Sequence, residues 1–364
     1  MHSGRWFRRP VTWSVVVSAA LLAGSVAAPL PAASDPVTAA TTAEHDGARV
    51  LQENWLDART VDLVIYSPAL RTSAPVRLLL PEGWTRGADR AWPVLYLLHG
   101  CCEDADYRAW TKFTDVREFL ADEDVLTVMP SGGPAGFYTR WTNFGADAPD
   151  WEAFHLRELR GILERDYGAG QRRAVAGLSI GGYGASAYAF RHPGMFRAAA
   201  SFSGLLNTLQ PAVPGVIKGI LLREGEDPFA MWGDELLDHR TWSERNPFDH
   251  AEALRGTALY VSCGNGLPGP LDDPGSLPDP LEPAALSTSQ VMIARLKNLG
   301  IPVTEDFYGP GLHDWPYWER ELHRAWPMFA ERLGLGVDRS GASANAVATA
   351  PTSTSPAAIR MPAE

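Results

Sequence analysis

Cysteine is scarce: the chain has three in 364 residues, Cys101, Cys102 and Cys263. That is too few for a disulfide framework. Cys101 and Cys102 follow one apolar run and Cys263 ends another. If two strands of a sheet separate those runs, the sulfurs stand roughly 14 Å apart, beyond bridging distance. Buried free thiols are therefore the expectation, with a bond between the adjacent pair as the alternative. Lysine-rich stripes are also absent, and the formal net charge is −11. This balance excludes a nucleic-acid surface, since nothing would offset phosphate repulsion. No internal repeat is present, which excludes a repeat architecture. None of the nine histidines falls at a spacing that suggests a metal site. No metal or organic cofactor is implied.

What the chain does have is apolar content, 45% of it, enough for the large core of one α/β domain. Tryptophan is plentiful at thirteen. Several of these rings fall in loops, where they either line apolar or carbohydrate sites or simply pack. At the N-terminus Arg5, Arg8 and Arg9 precede an apolar run from Val11 to about Ala28 and small residues suited to cleavage. This reads as an export signal over 1–33, an uncleaved membrane anchor being the alternative. Its removal takes three arginines and no acid, moving the formal charge from −11 to −14. Ala, Pro, Ser and Thr dominate 34–45, a flexible linker, and 336–364, which lacks the apolar side chains for a core and is expected to be disordered.

Between them, 46–335 read as a catalytic domain. Thr60–Ser67 and Val76–Leu80 look like the first two strands. Pro93–Leu98 and Val125–Met129 are continuous apolar runs of the kind buried on both faces of a parallel sheet. Arg197–Phe202, Ala258–Cys263 and Pro302–Phe307 continue the series, with helix-like segments at Trp151–Tyr167 and Leu286–Leu299. Strands alternating with helices predict a mainly parallel sheet of about eight strands with helices on both faces. Leu205–Arg245 falls outside the alternation and predicts a helical insertion over the site, after the sixth strand.

The chemistry centres on Gly177-Leu178-Ser179-Ile180-Gly181. A glycine-x-serine-x-glycine string between a strand and a helix is a nucleophile elbow, whose tight turn exposes the serine hydroxyl. Ser179 is the candidate nucleophile. Such a serine needs a base, an acid and an oxyanion hole. In α/β-hydrolases the chain order is serine, acid, histidine. His313, in the loop just after the last strand, then becomes the base, while His323 lies on an amphipathic helix. Position alone slightly favours Asp272 or Asp273 as the acid, with Asp279 and Glu282 further on. The oxyanion donors are expected to be the amides of Ile180 and Cys101, and His99 to shape the adjoining loop or substrate pocket.

Several strings taken together resemble the mycolyltransferases of mycolic-acid-bearing bacteria, the antigen 85-like proteins, and the wider esterase-D-like branch of the α/β-hydrolases. They are Leu97-Leu98-His99-Gly100, Phe137-Tyr138-Thr139-Arg140-Trp141, Ser203-Gly204, Met231-Trp232-Gly233, Arg245-Asn246-Pro247, Cys263-Gly264-Asn265-Gly266 and His313-Asp314-Trp315-Pro316-Tyr317-Trp318. The resemblance implies an α/β-hydrolase fold and moves the acid to Glu282, in Leu281-Glu282. It supports Cys101 as oxyanion donor and implies Trp315 and Arg140 near the substrate. Mycolyltransferases carry an aspartate and an arginine where this chain has His99 and Cys102, so the charged groups that hold a sugar acceptor are missing here. The expectation is an exported serine esterase working on a small-molecule or lipid acyl ester through Ser179, His313 and Glu282. Acyl transfer to a sugar or glycerol hydroxyl is the alternative enzyme, and an envelope-binding protein that kept only the fold is the alternative of another class. Oligomeric state is not written in the sequence.

Overall fold

A computed structural model describes residues 47–336 apart from 104, 143–144 and 146–147. The export segment, the linker and the tail after residue 336 lie outside the described residues. One sheet of nine strands organises the rest: β1 (Arg49–Trp55), β2 (Thr60–Ser67), β3 (Thr72–Leu79), β4 (Trp92–Leu98), β5 (Leu126–Pro130), β6 (Ala169–Leu178), β7 (Ala198–Phe202), β8 (Ala258–Gly264) and β9 (Thr304–Gly309). Their order is β1-β2-β3-β5-β4-β6-β7-β8-β9. The first three pair antiparallel, β3 is antiparallel to β5, and β5 through β9 run parallel. The strand beyond the expected eight is β1. Its residues, Arg-Val-Leu-Gln-Glu-Asn-Trp, are half-buried or exposed, so neither a buried run nor clean alternation marks it.

Period two explains the layers. On β4, Val94, Tyr96 and Leu98 point into one apolar layer while Leu95 and Leu97 point into the other. The second layer is closed by α1 (Ala109–Phe113), α2 (Val116–Phe119) and a long C-terminal helix carrying Trp318, Leu322, Ala325, Phe329 and Leu333. The first is closed by α3 (Trp151–Ala153), which runs through a π-helical stretch at Phe154–Leu159 into α4 (Arg160–Asp166), and by α5 (Ile180–Arg191). The insertion after β7 holds two helices, α6 (Val213–Arg223) and α7 (His239–Glu244), joined by loops. Then come α8 (Glu282–Asn298) and that C-terminal helix, α9 (Trp315–Leu333). The helix expected from Leu286 starts four residues earlier. The amides of Leu281 and Glu282 donate to Asp279 Oδ1 at 2.7 and 2.9 Å, and Pro283 fits a first turn, where its missing N–H costs nothing.

Candidate active site

Ser179 is the single residue between β6 and α5, with φ +53° and ψ −121°. A side chain rarely tolerates that backbone, and the neighbours show why it is forced. A Cβ at Gly177 would strike the Gly181 carbonyl, and one at Gly181 would strike the carbonyls of Leu98 and His99. Strand and helix meet only because both positions lack a side chain. The Ser179 amide donates to the Phe202 carbonyl at 2.9 Å, tying the elbow to β7. Ile180, first in α5, has no acceptor within the helix for its own amide, and the helix dipole adds positive potential beside the serine.

His313 and Glu282 arrive from the far end of the sheet. Glu282 opens α8 and is fully buried, while His313 sits between β9 and α9. Their hydrogen bond, His313 Nδ1 to Glu282 Oε2, is 2.6 Å. Oε1 accepts from Ser203 Oγ at 2.8 Å, from the Gly264 amide at 2.7 Å and from Cys263 Sγ at 3.3 Å. Burial alone would push this carboxyl up; the His313 hydrogen bond and charge, then Ser203 and the Gly264 amide, outweigh it and hold the group below the ordinary carboxylate range. An ionised carboxylate only accepts, so the Nδ1 proton is fixed and Nε2 is left bare. The Trp318 ring stands edge-on to the imidazole at 5.0 Å and limits its rotation. No hydrogen bond joins Ser179 Oγ to His313 among the described residues, but both line one cleft of about 320 Å3. Such contacts commonly tighten only when substrate is bound.

Cys101, Cys102, Trp315, Trp318 and Arg223 line the same cleft. Cys101 and Cys102 are joined to each other. The expected free thiols are thus corrected for this pair: no second strand has to be reached, and the bond closes within one turn. Cys263 is a buried free thiol. Cys102 has φ +73°, and its amide is spent on the Pro134 carbonyl at 2.9 Å. The Cys101 amide enters no hydrogen bond among the described residues, and Gly100 lies so close to Leu178 that a Cβ would collide with it.

Of the two readings of His99, the pocket one is corrected, since the residue is not among those lining the cleft: its ring is 1% exposed, with Nδ1 2.5 Å from the Gly100 carbonyl and Nε2 2.8 Å from the Gly132 amide and 3.1 Å from Asp106. It shapes the loop from beneath. The reading of Arg140 as a substrate residue is also corrected: it is not among the residues lining the cleft, and its side chain is 64% exposed and 4.0 Å from Asp150. Asp272 does not approach His313; it accepts from Tyr317 Oη at 2.8 Å and from the Gly269 amide at 2.6 Å, and Asp273 is exposed. Residue reasoning missed Ser203, although the Ser203-Gly204 string was in view. Its signal was a polar residue directly after an apolar strand.

Residues 67–329 match the family model described as "Putative esterase". Esterase Rv1288 of Mycobacterium tuberculosis is 31% identical over 279 residues, 73% of this chain. The chain spans 58% of that esterase's length. The diacylglycerol acyltransferase/mycolyltransferase Ag85B of Mycolicibacterium smegmatis is 33% identical over 256 residues, 66% of this chain and 77% of that one. Among solved structures, Mycobacterium tuberculosis MPT51 superposes with a TM-score of 0.61 at 25% identity, covering 74% of this chain and 95% of MPT51. A nine-stranded, mainly parallel sheet, a serine on a strained elbow and this likeness lead to one statement: the chain belongs to the putative esterase family of α/β-hydrolases.

Proposed function

We propose that the protein is an exported serine hydrolase that cleaves carboxylic esters through an acyl-enzyme. One observation carries the reading: a bare imidazole Nε2, its partner nitrogen locked on a buried carboxylate, shares a cleft with a serine on a strained elbow. Ser179 Oγ attacks the ester carbonyl while His313 Nε2 takes its proton. The amides of Ile180 and Cys101 receive the oxyanion. Collapse expels the alcohol, which leaves with the proton from Nε2, and the acyl group stays on Ser179. Water then gives its proton to Nε2 and attacks the acyl carbonyl, and collapse returns that proton to Ser179 Oγ as the acid leaves. Glu282 holds the imidazole in one tautomer and stabilises its charged form.

Two features favour water over a sugar as the acceptor. The positions where mycolyltransferases carry charge are occupied by a buried imidazole and a disulfide. Of the cleft's three carboxylates, Asp279 and Asp314 are engaged on helix-start amides, which leaves Glu103. The cleft volume, about 320 Å3, lies at the small end of ligand sites and suits a compact ester. Export is supported by the arginine-led apolar N-terminus and by the Cys101–Cys102 bond, which persists best in an oxidising compartment.

The test is p-nitrophenyl ester turnover across chain lengths, with and without trehalose or glycerol, for wild type and Ser179→Ala. The expected result is release indifferent to acceptor and abolished in the variant. An acylated acceptor among the products would make the protein a transferase. Absence of serine-dependent release, with no organophosphonate adduct at Ser179, would leave only a binding protein.

A further inference from the structure

We infer that Ser203 is a positioning residue for the Glu282 carboxylate, part of a chain of hydrogen bonds running Trp318–Ser203–Glu282–His313. The inference rests on the esterase reading above and adds to it a fourth group on which turnover depends.

Ser203 directly follows β7 and is 1% exposed. Its Oγ lies 3.1 Å from Trp318 Nε1 and 2.8 Å from Glu282 Oε1. Chemistry fixes the direction of both bonds. An indole N–H can only donate, so the serine oxygen accepts from Trp318. An ionised carboxylate can only accept, so the hydroxyl proton goes to Glu282. The serine has no second orientation that satisfies both neighbours.

Ser203 has φ +51°, in the left-handed region that favours glycine, and its amide is held by the Ser262 carbonyl at 2.8 Å. Glycine would fit here without strain, yet the chain has a serine whose hydroxyl reaches the carboxylate. Strain at a buried position next to the site is better explained by the hydroxyl than by packing.

Ser203, the Gly264 amide, Cys263 and, at 3.5 Å, the Tyr308 hydroxyl all donate to Oε1, leaving Oε2 to His313. Trp318 holds Ser203 by its ring nitrogen and stands against the His313 ring at 5.0 Å, the two planes 86° apart. One indole therefore orients both partners of the acid–base pair. Without the Ser203 hydroxyl, Oε1 loses its shortest side-chain donor and the carboxylate gains freedom to turn away from Nδ1.

The experiment measures kcat and KM for Ser203→Ala and Ser203→Gly, each in wild-type and Glu282→Ala backgrounds, with melting temperatures for all. Loss of one hydrogen bond to a charged group predicts a fall in kcat of about tenfold to a hundredfold with KM nearly unchanged. Ser203→Gly removes the backbone strain, so it should melt no lower than Ser203→Ala while losing activity equally. In the Glu282→Ala background the same changes should alter kcat less than about twofold, since the carboxylate they position is gone. An equal fold-loss in both backgrounds, or full activity in Ser203→Gly, would overturn the inference while wild-type turnover leaves the esterase reading intact. Wild type without Ser179-dependent turnover would instead sink that reading itself.

Discussion

Two imidazoles in this molecule are each held by both nitrogens or by one, and the difference decides what each can do. His155 is fully buried between Tyr188 and the Ser131 carbonyl. The carbonyl can only accept, so Nε2 carries the proton, and Tyr188 donates to Nδ1. Burial pushes this imidazole down to about 4; the Ser131 carbonyl and Asp106 pull the other way and His99 adds to the depression. His155 is a neutral structural strut beneath the Pro130–Gly133 loop. His313 is tied at Nδ1 alone, by a carboxylate rather than a hydroxyl, with its other edge on the cleft. A histidine needs an anion behind it and an open nitrogen in front to shuttle a proton. Full burial with two neutral partners removes that capacity in His155.

The sharpest way to break the contrast is to give His313 a neutral partner too. Glu282→Gln keeps an oxygen for Ser203 and the Gly264 amide, so the fold should stand. Ester turnover should nevertheless fall roughly 10³- to 10⁴-fold, because the imidazolium loses its counter-charge and the tautomer is no longer enforced. Steady-state kinetics with retained melting temperature would check this; a fall below tenfold would mean that Glu282 does not serve as the acid.

The next effect is on stability. His155 has a depressed value in the folded state, so between pH 6.5 and about 4 the unfolded chain binds a proton that the native one refuses. Stability is therefore complete above the unfolded value and is lost as pH falls through that window, by about 3 kcal/mol in total. Glu282, whose value is also lowered, adds a loss only further down, below the ordinary carboxylate range. Urea unfolding at a series of pH values should show the first loss flattened in His155→Gln and the second kept. Parallel curves for variant and wild type would assign the acid sensitivity elsewhere.

Much of this was legible beforehand, for physical reasons. Continuous apolar runs gave β4, β5 and β7 because a strand buried on both faces has no polar side to confuse the pattern. The elbow was legible because its geometry demands glycines. β1 was hidden because an edge strand exposed on both faces needs no apolar residue. The candidate acid escaped a reading from residues alone because Asp272, Asp273 and Glu282 share one connection after β8, and it is the fold of that connection, with Asp279 holding the amides of Leu281 and Glu282, that brings Glu282 to His313. Resemblance, not spacing, pointed to Glu282. Ser203 escaped because a hydroxyl's value lies in what it touches across the sheet.

Arg140 tests the limit of resemblance. It lies in a string shared with mycolyltransferases, and the likeness implied a place near the substrate. The backbone there serves a different end: Arg140 pairs with Asp150 in an isolated bridge that ends the loop before α3, and Asp150 accepts from the Ala153 amide to start that helix. The guanidinium itself is 64% exposed and 4.0 Å from the Asp150 carboxylate. Exposed pairs of this kind contribute about 0 to 1 kcal/mol. Arg140→Ala should therefore change kcat/KM by less than about twofold and stability by no more than about 0.5 kcal/mol. A larger loss of kcat/KM at unchanged stability would mean that the arginine swings to the cleft when substrate binds. Backbone pairing alone would then be an insufficient account of that string.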